Sequence, residues 1–195
     1  MKTDIVLAGV GGQGILSVAT ILGVAALKEG LNIKQAEVHG MSQRGGDVQS
    51  NLRISSRPIH SDLIPGGKAD LIVSLEPMEA LRYIPLLSNE GWIVTSTAPF
   101  VNIPNYPEME KIEKELFMAG NVVAFDMEEM AREVASPRSS NMVLLGASSH
   151  FIDITSDKIE AAIRSVFSGK GEVIVESNIK AFRAGRSKAD SFIAK

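Results

Sequence analysis

The stretch that decides the fold is Ile5-Val6-Leu7-Ala8-Gly9-Val10-Gly11-Gly12-Gln13-Gly14. Its first four residues form a continuous apolar run, which is typical of a strand buried on both faces. After the glycines, apolar residues recur at helical spacing, and residues 33–38 then predict a second strand. A strand, a glycine loop, a helix and a second strand in this order favour a parallel α/β sheet.

The rest of the chain continues the alternation of strands and helices. Residues 48–54 alternate apolar and polar side chains, which predicts a half-exposed and antiparallel strand. Buried strands are predicted at residues 69–74, 92–95 and 121–126, with helices between them, of which the first covers about residues 77–87. Near the end we expect a short strand at residues 173–175 and then a helix that begins at an N-cap, Ser177. We therefore predict a single domain over residues 1–195, a three-layer, doubly wound α/β fold with a mostly parallel sheet and a Rossmann-like N-terminal unit.

Composition excludes several classes of protein. The 195 residues contain no cysteine, so the chain has no disulfide, no thiolate nucleophile and no cysteine ligand for an iron–sulfur cluster. A net charge of −3 argues against a nucleic-acid partner, because binding to phosphates needs an excess of basic residues. The longest apolar run, residues 15–27, is too short to span a bilayer, and no secretory leader is evident. We expect a cytoplasmic protein without a membrane or metal site.

The glycine loop satisfies G-x-G-x-x-G between a strand and a helix, where backbone N–H groups can bind a pyrophosphate. Glu37, near the end of the second predicted strand, could then accept a ribose hydroxyl. An equally simple interpretation is that the glycines only allow the helix and the strand to pack closely. The candidate residues of the loop are Gly9, Gly11, Gly12, Gln13 and Gly14.

A second unusual segment follows the second predicted strand. It contributes the candidate ligand- or interface-binding residues Glu37, His39, Gly40, Ser42, Gln43, Arg44, Gly45 and Gly46. An arginine between small residues offers a guanidinium group suited to a carboxylate or a phosphate. The alternative is a long turn in which Arg44 pairs with Glu37. No pair of carboxylates or nucleophile–base set suggests catalysis, and Glu79 and Arg82 predict a structural ion pair on one helix face.

Two motifs resemble those of the gamma subunits or domains of 2-oxoacid:ferredoxin oxidoreductases. They are Val10-Gly11-Gly12-Gln13-Gly14-Ile15 and Glu37-Val38-His39-Gly40-Met41-Ser42-Gln43-Arg44-Gly45-Gly46. The second motif is most similar to the indolepyruvate branch of the family, because the pyruvate and 2-oxoglutarate branches carry a different run before Arg-Gly-Gly. Further matches at residues 61–65, 141–147 and 178–182 extend the resemblance over nearly the whole chain. Asn141, which we otherwise interpret as an N-cap, joins the candidate binding residues through this resemblance.

The resemblance implies a small subunit that binds no cofactor of its own. Such complexes convert an aryl 2-oxoacid, coenzyme A and oxidised ferredoxin into aryl-acetyl-CoA, carbon dioxide and reduced ferredoxin. A large alpha subunit would carry thiamine diphosphate and the [4Fe–4S] clusters, and the isolated small subunit would be inactive. The glycine loop and the Arg44 segment would then lie at the subunit interface or near the coenzyme A path. An isolated subunit would expose apolar interface, which favours a homodimer.

Three alternatives fit the same residues. The chain could be a stand-alone Rossmann-type protein that binds a nucleotide or coenzyme A, although its two tyrosines form no Tyr-x-x-x-Lys motif. It could be a regulatory module without turnover. It could also be the gamma subunit of a pyruvate or 2-oxoglutarate enzyme.

Overall fold

The computed structural model describes residues 1–40 and 45–194, apart from the side chain of His39. Six strands form one sheet in the order β2-β3-β1-β4-β5-β6. Their bounds are β1 Lys2–Val10, β2 Asn32–His39, β3 Asp47–Ser55, β4 Ala69–Ser74, β5 Leu87–Ser96 and β6 Asn121–Phe125. The helices are α1 Ile15–Lys28, α2 Pro77–Arg82, α3 Met109–Met118, α4 Met127–Val134, α5 Ser140–Ser148, α6 Ser156–Phe167 and α7 Glu172–Ile193.

The helices cover both faces of the sheet, as the alternation of buried side chains along β1 shows. Ile5 and Leu7 belong to a cluster with apolar residues of α1 and α4 to α7. Val6 points to the opposite face and belongs to a smaller cluster with α2 and α3. The predicted three-layer, doubly wound α/β fold is therefore confirmed.

The sheet is mostly parallel, with one strand reversed. β1 pairs in parallel with β4, β4 with β5, and β5 with β6. β3 pairs antiparallel with β1 on one side and with β2 on the other. The predicted antiparallel direction of this strand is confirmed, but its predicted half-exposure is wrong.

β3 is buried because it is an interior strand whose polar residues find partners inside the protein. Ser50 accepts a hydrogen bond from Gln35 Nε2 at 3.0 Å. Asn51 Oδ1 accepts one from the Ile64 N–H at 3.3 Å. Buried polar side chains are tolerated when they are hydrogen-bonded in this way. The alternation in the sequence therefore reflects satisfied polar groups and not a solvent-facing side.

The C-terminal region differs from the prediction. Residues 173–175 form no strand, and Ser177 is no N-cap, because both lie within the 22-residue helix α7. β-branched residues favour strands locally, but Val175, Ile179 and Phe182 recur at helical spacing and are buried in the main core. Tertiary packing of this apolar face outweighs local propensity.

One smaller difference has a local cause. The helix predicted from residue 77 to 87 ends at Arg82 and is followed by a 3₁₀ turn at Ile84–Leu86. Pro85 within that turn has no N–H to donate, so a regular helix does not continue.

In the described part of the chain, no helix combines the length and the apolar character that a membrane crossing requires.

Candidate functional site

The crevice between the carboxyl ends of β1 and β4 is the natural binding position of this sheet. α1 follows β1 and packs on one face, whereas α2 follows β4 and packs on the other. The two connections therefore leave the sheet in opposite directions. In open α/β sheets, ligands bind at such a switch point. The glycine loop (residues 9–14) lies at this crevice, because it consists of the last two residues of β1 and the four residues that connect β1 to α1.

Gln13 holds the glycine loop closed. The Val10 N–H donates to Gln13 Oε1 at 2.8 Å, and the Gln13 N–H donates to the Val10 carbonyl at 3.1 Å. The Gln13 Nε2 reaches the Leu75 carbonyl beyond β4 at 3.5 Å. Gln13 thus fixes the shape of the loop and joins the two sides of the crevice.

Two physical reasons favour glycine at position 14. Its φ of 76° lies in the left-handed region that favours glycine. A Cβ there would lie 2.8 Å from Asn141 Nδ2. Asn141 donates from this nitrogen to the Gly14 carbonyl at 3.1 Å, so it ties α5 to the loop. The N-cap interpretation of Asn141 is wrong, because the N-cap residue of α5 is Ser139 and Asn141 lies inside the helix.

The segment before β3 packs on the glycine loop. The Gly11 N–H donates to the Gly46 carbonyl at 2.8 Å, and the Gly45 N–H donates to the Gly11 carbonyl at 3.3 Å. The structure thus brings together the two candidate segments that the sequence singled out. At the other end of that segment, the Gly40 N–H donates to the Asp47 carbonyl at 3.2 Å and continues the β2–β3 pairing.

Several candidate residues cannot be compared with the structure. Ser42, Gln43 and Arg44 lie outside the described residues, as does the alternative ion pair between Arg44 and Glu37. His39 ends β2, with its side chain also outside the described part. Their roles as ligand- or interface-binding residues stay predictions.

Glu37 lies away from the glycine loop. It is exposed on β2 and pairs with Ser50 of β3, which in turn pairs with Leu7 of β1. With strands spaced about 4.8 Å apart, the backbone of β2 is roughly 10 Å across the sheet from that of β1. In a dinucleotide-binding fold the acidic residue lies on the strand beside the glycine strand. The inserted strand β3 therefore disfavours a ribose contact at Glu37.

A buried carboxylate at the end of β4 was missed as part of the site. Glu76 is fully buried. Its carboxylate accepts the Glu79 N–H at 2.8 Å as the N-cap of α2, and it also accepts the Tyr106 hydroxyl. Burial and this carboxylate raise the pKa of Tyr106 above the ordinary tyrosine value. The predicted Glu79–Arg82 ion pair is confirmed at 2.8 Å, and it raises the pKa of Arg82.

The irregular segment of residues 97–107, here called the strap, runs along this edge of the sheet. Asn102 Nδ2 donates to the Gly45 carbonyl at 2.7 Å, so one part of the strap is attached to the segment before β3. Tyr106 attaches another part to Glu76 at the end of β4. Between and beside these attachments, Phe100, Val101 and Ile103 are exposed by 40%, 67% and 36%. Exposed apolar residues grouped beside a crevice are typical of an interaction surface.

Residues 4–188 match the family described as Pyruvate ferredoxin/flavodoxin oxidoreductase. This chain belongs to that family. The resemblance inferred from the two glycine-containing motifs is thereby confirmed.

Relatives cover the chain almost completely. Indolepyruvate oxidoreductase subunit IorB of Methanothermobacter thermautotrophicus is 37% identical over 95% of this chain and 96% of its own. The same subunit of Thermococcus kodakarensis is 38% identical over 97% of both chains. Relatives named for 2-oxoglutarate, or for pyruvate and ketoisovalerate, are 26–28% identical.

Solved structures show the same fold. The gamma subunit of a keto/oxoacid ferredoxin oxidoreductase from Geobacter sulfurreducens has a TM-score of 0.70 and 26% identity, with 97% of this chain and 99% of that chain covered. A 2-oxoglutarate:ferredoxin oxidoreductase from Magnetococcus marinus, with 2-oxoglutarate, coenzyme A and succinyl-CoA bound, has a TM-score of 0.76 at 24% identity. The structural match covers 97% of this chain and 31% of the Magnetococcus chain.

Proposed function

We propose that this chain is the small subunit of a 2-oxoacid:ferredoxin oxidoreductase that acts on indolepyruvate or a related arylpyruvate. The observation that carries the choice of substrate is the difference in identity among relatives. Subunits named for indolepyruvate are 35–38% identical, against 26–28% for those named for 2-oxoglutarate or pyruvate. The reaction would yield aryl-acetyl-CoA, carbon dioxide and reduced ferredoxin.

The geometry of the crevice supports a binding and assembly role for the chain itself. Its loops are held by hydrogen bonds among backbone groups, amide side chains and one buried carboxylate. These groups fix a shape, but they do not form a nucleophile–base pair of the kind that nucleophilic catalysis uses. The shape presents the strap and Gly45–Gly46 together at one edge of the sheet. We infer that this edge faces the large partner subunit.

The cofactors of the reaction would belong to that partner. Iron–sulfur clusters are held by cysteine thiolates, and this chain has no cysteine. In the part of the chain that is described, no three His, Asp or Glu side chains are grouped closely enough to hold a metal ion. Thiamine diphosphate on the partner would supply carbanion stabilisation, and the clusters would pass electrons to ferredoxin. Coenzyme A would enter as co-substrate, and the complex would work in the cytoplasm.

The test is anaerobic affinity purification of the tagged full-length chain from its native host. We expect a stoichiometric, iron-containing partner with bound thiamine diphosphate, identified by mass spectrometry and metal analysis. The purified complex should reduce ferredoxin with indolepyruvate and coenzyme A, whereas the chain alone should not. A complex that preferred pyruvate or 2-oxoglutarate would disprove the substrate assignment and leave the subunit role. A chain that purified alone, with a bound nucleotide, would disprove the subunit role as well.

A further inference from the structure

A cleft of about 480 Å³ opens between the start of α7, the end of α6 and the segment before α5. Its wall includes the charged residues Arg138 and Lys170, the polar residues Ser177 and Asn178, and the apolar residues Phe167 and Ile174. Asn141, which bonds to the glycine loop, also borders it. Nothing in the proposed subunit role uses this cleft.

The charge of the cleft is positive. Arg138 and Lys170 form no ion pair with any carboxylate in the described part of the chain. No aspartate or glutamate is among the residues that border the cleft. Lys170 Nζ lies 5.3 Å from the centre of the Phe167 ring, a cation–π contact that holds the ammonium group at the wall. In a chain with a net charge of −3, two unpaired cations facing one cleft form a local site for an anion.

Asn178 supplies a second and independent indication. The residue is 93% buried, since only 7% of it is exposed. Its Oδ1 accepts the Ser139 hydroxyl at 3.2 Å, while its Nδ2 has no partner among the described residues. Every fully enclosed side-chain nitrogen or oxygen among the described residues has a hydrogen-bond partner. The unpartnered Nδ2 of Asn178 is therefore not fully enclosed, and the residue borders the cleft. A nearly buried donor without an acceptor favours binding of a group that supplies one.

The sequence of α7 supports the same interpretation. Ser177 and Asn178 are adjacent residues that favour helix caps over helix interiors, yet α7 continues through both. Their presence lowers the intrinsic stability of the helix at the position where it borders the cleft. The bond to Ser139 accounts for Asn178, but the Ser177 hydroxyl has no hydrogen bond within the described residues, and a position that violates local rules in this way is often part of a binding site.

We propose that this cleft binds a diphosphate group, either free or as part of a nucleotide-containing ligand. Arg138 can donate two parallel hydrogen bonds to phosphate oxygens, and Lys170 adds a positive charge. The Asn178 amide and the Ser177 hydroxyl add neutral donors. Phe167 and Ile174 form an apolar wall beside these groups, which suits the base or the carbon chain of a larger ligand.

The test is isothermal titration of the full-length chain with pyrophosphate and with ADP. Lys170→Glu should weaken binding of both by about tenfold or more, because it replaces a charged donor by a repelling charge. Asn178→Asp should have a similar effect, since it keeps the acceptor for Ser139 but removes the donor. Lys188→Glu, an equal charge change on an exposed part of α7, is the matched control and should leave binding unchanged. Circular dichroism and thermal melting verify that each variant is folded.

Each outcome decides the proposal. Weakening by the two cleft variants and not by Lys188→Glu supports it, and tighter binding of ADP than of pyrophosphate identifies a nucleotide-containing ligand. Equal weakening by Lys188→Glu shows general electrostatic attraction and overturns it, as does the absence of binding at millimolar concentrations. Chemical-shift changes of the Asn178 side-chain amide should accompany binding, whereas changes confined to Gly11 and Gly12 would place the ligand at the glycine loop instead. The isolated chain is sufficient here, so failure of this proposal leaves the proposed subunit role untouched.

Discussion

The substitution Gly146→Ala tests the close backbone contact between α5 and α7. α5 and α7 cross where Gly146 faces the backbone of Phe182, and Gly185 faces that of Val143. A Cβ on Gly146 would lie 1.9 Å from the Phe182 carbonyl oxygen, whereas ordinary contact begins near 3.4 Å. The two helices would have to separate by about 1.5 Å, and backbone atoms cannot move aside as a flexible side chain can.

The expected cost follows from two opposing effects. Overpacking of a buried site costs about 1–3 kcal/mol and sometimes more, and contact with backbone places this substitution at the upper end. Alanine improves helix propensity over glycine by about 1 kcal/mol. The net loss is therefore about 2 kcal/mol. In a protein of this size each kcal/mol shifts Tm by about 2–4 °C, so Tm should fall by roughly 4–8 °C.

The assay is thermal and urea unfolding followed by circular dichroism. Gly169→Ala is the control, because a Cβ there meets nothing within 4 Å, and its effect should stay within about 0.5 kcal/mol. Gly185→Ala alone should also destabilise, but the double variant should lose less than the sum, since one separation of the helices accommodates both methyl groups. A Tm of Gly146→Ala equal to that of the control would refute the close-packing argument.

Three further predictions concern the crevice and its edge. Gly14→Ala should lower the free energy of unfolding by about 1–3 kcal/mol, because the residue has a φ of 76° and its Cβ would meet Asn141. Urea unfolding measures this loss, and an unchanged midpoint would contradict the contact. Stability should fall as pH rises above about 10, because unfolded tyrosines lose their protons there while the raised pKa keeps Tyr106 neutral in the folded protein. Tyr106→Phe should make this fall in stability less steep, and it should lower the free energy of unfolding by about 1–2 kcal/mol at neutral pH. The same dependence of stability on pH in both proteins would show that Tyr106 does not contribute to it. Arg44→Ala, a prediction from the sequence motif, should weaken the complex or its activity far more than Tm; unchanged assembly and kinetics would reduce Arg44 to a structural role.

The N-terminal half of the fold could be predicted because its signals are local. The apolar run before Gly9, the helical spacing after Gly14 and the strand that follows each specify one element. Local signals could not predict the order of the strands in the sheet. β3 pairs between β1 and β2, and its buried Ser50 and Asn51 resemble surface residues until their hydrogen-bond partners are known.

The candidate site was predictable in part for the same reason. The two glycine-containing segments were recognised by composition, and the structure shows why they belong together, since Gly11 exchanges hydrogen bonds with Gly45 and Gly46. The contributions of Asn102 and Tyr106, and the bond from Asn141 to the glycine loop, were not predictable, because each depends on contacts across a large sequence separation. The same holds for the continuity of α7, where packing against α5 outweighs the cap signal of Ser177.

The reversed strand β3 has a consequence for how this family can diversify. β2 and β3 are adjacent antiparallel strands that pair in register up to His39 and Val48. The bonds from Gly11 to Gly45 and Gly46 fix the start of β3 against the glycine loop. Segments that connect anchored strands tolerate substitution far better than the strands themselves. The residues between β2 and β3 can therefore change as a group while the sheet stays unchanged.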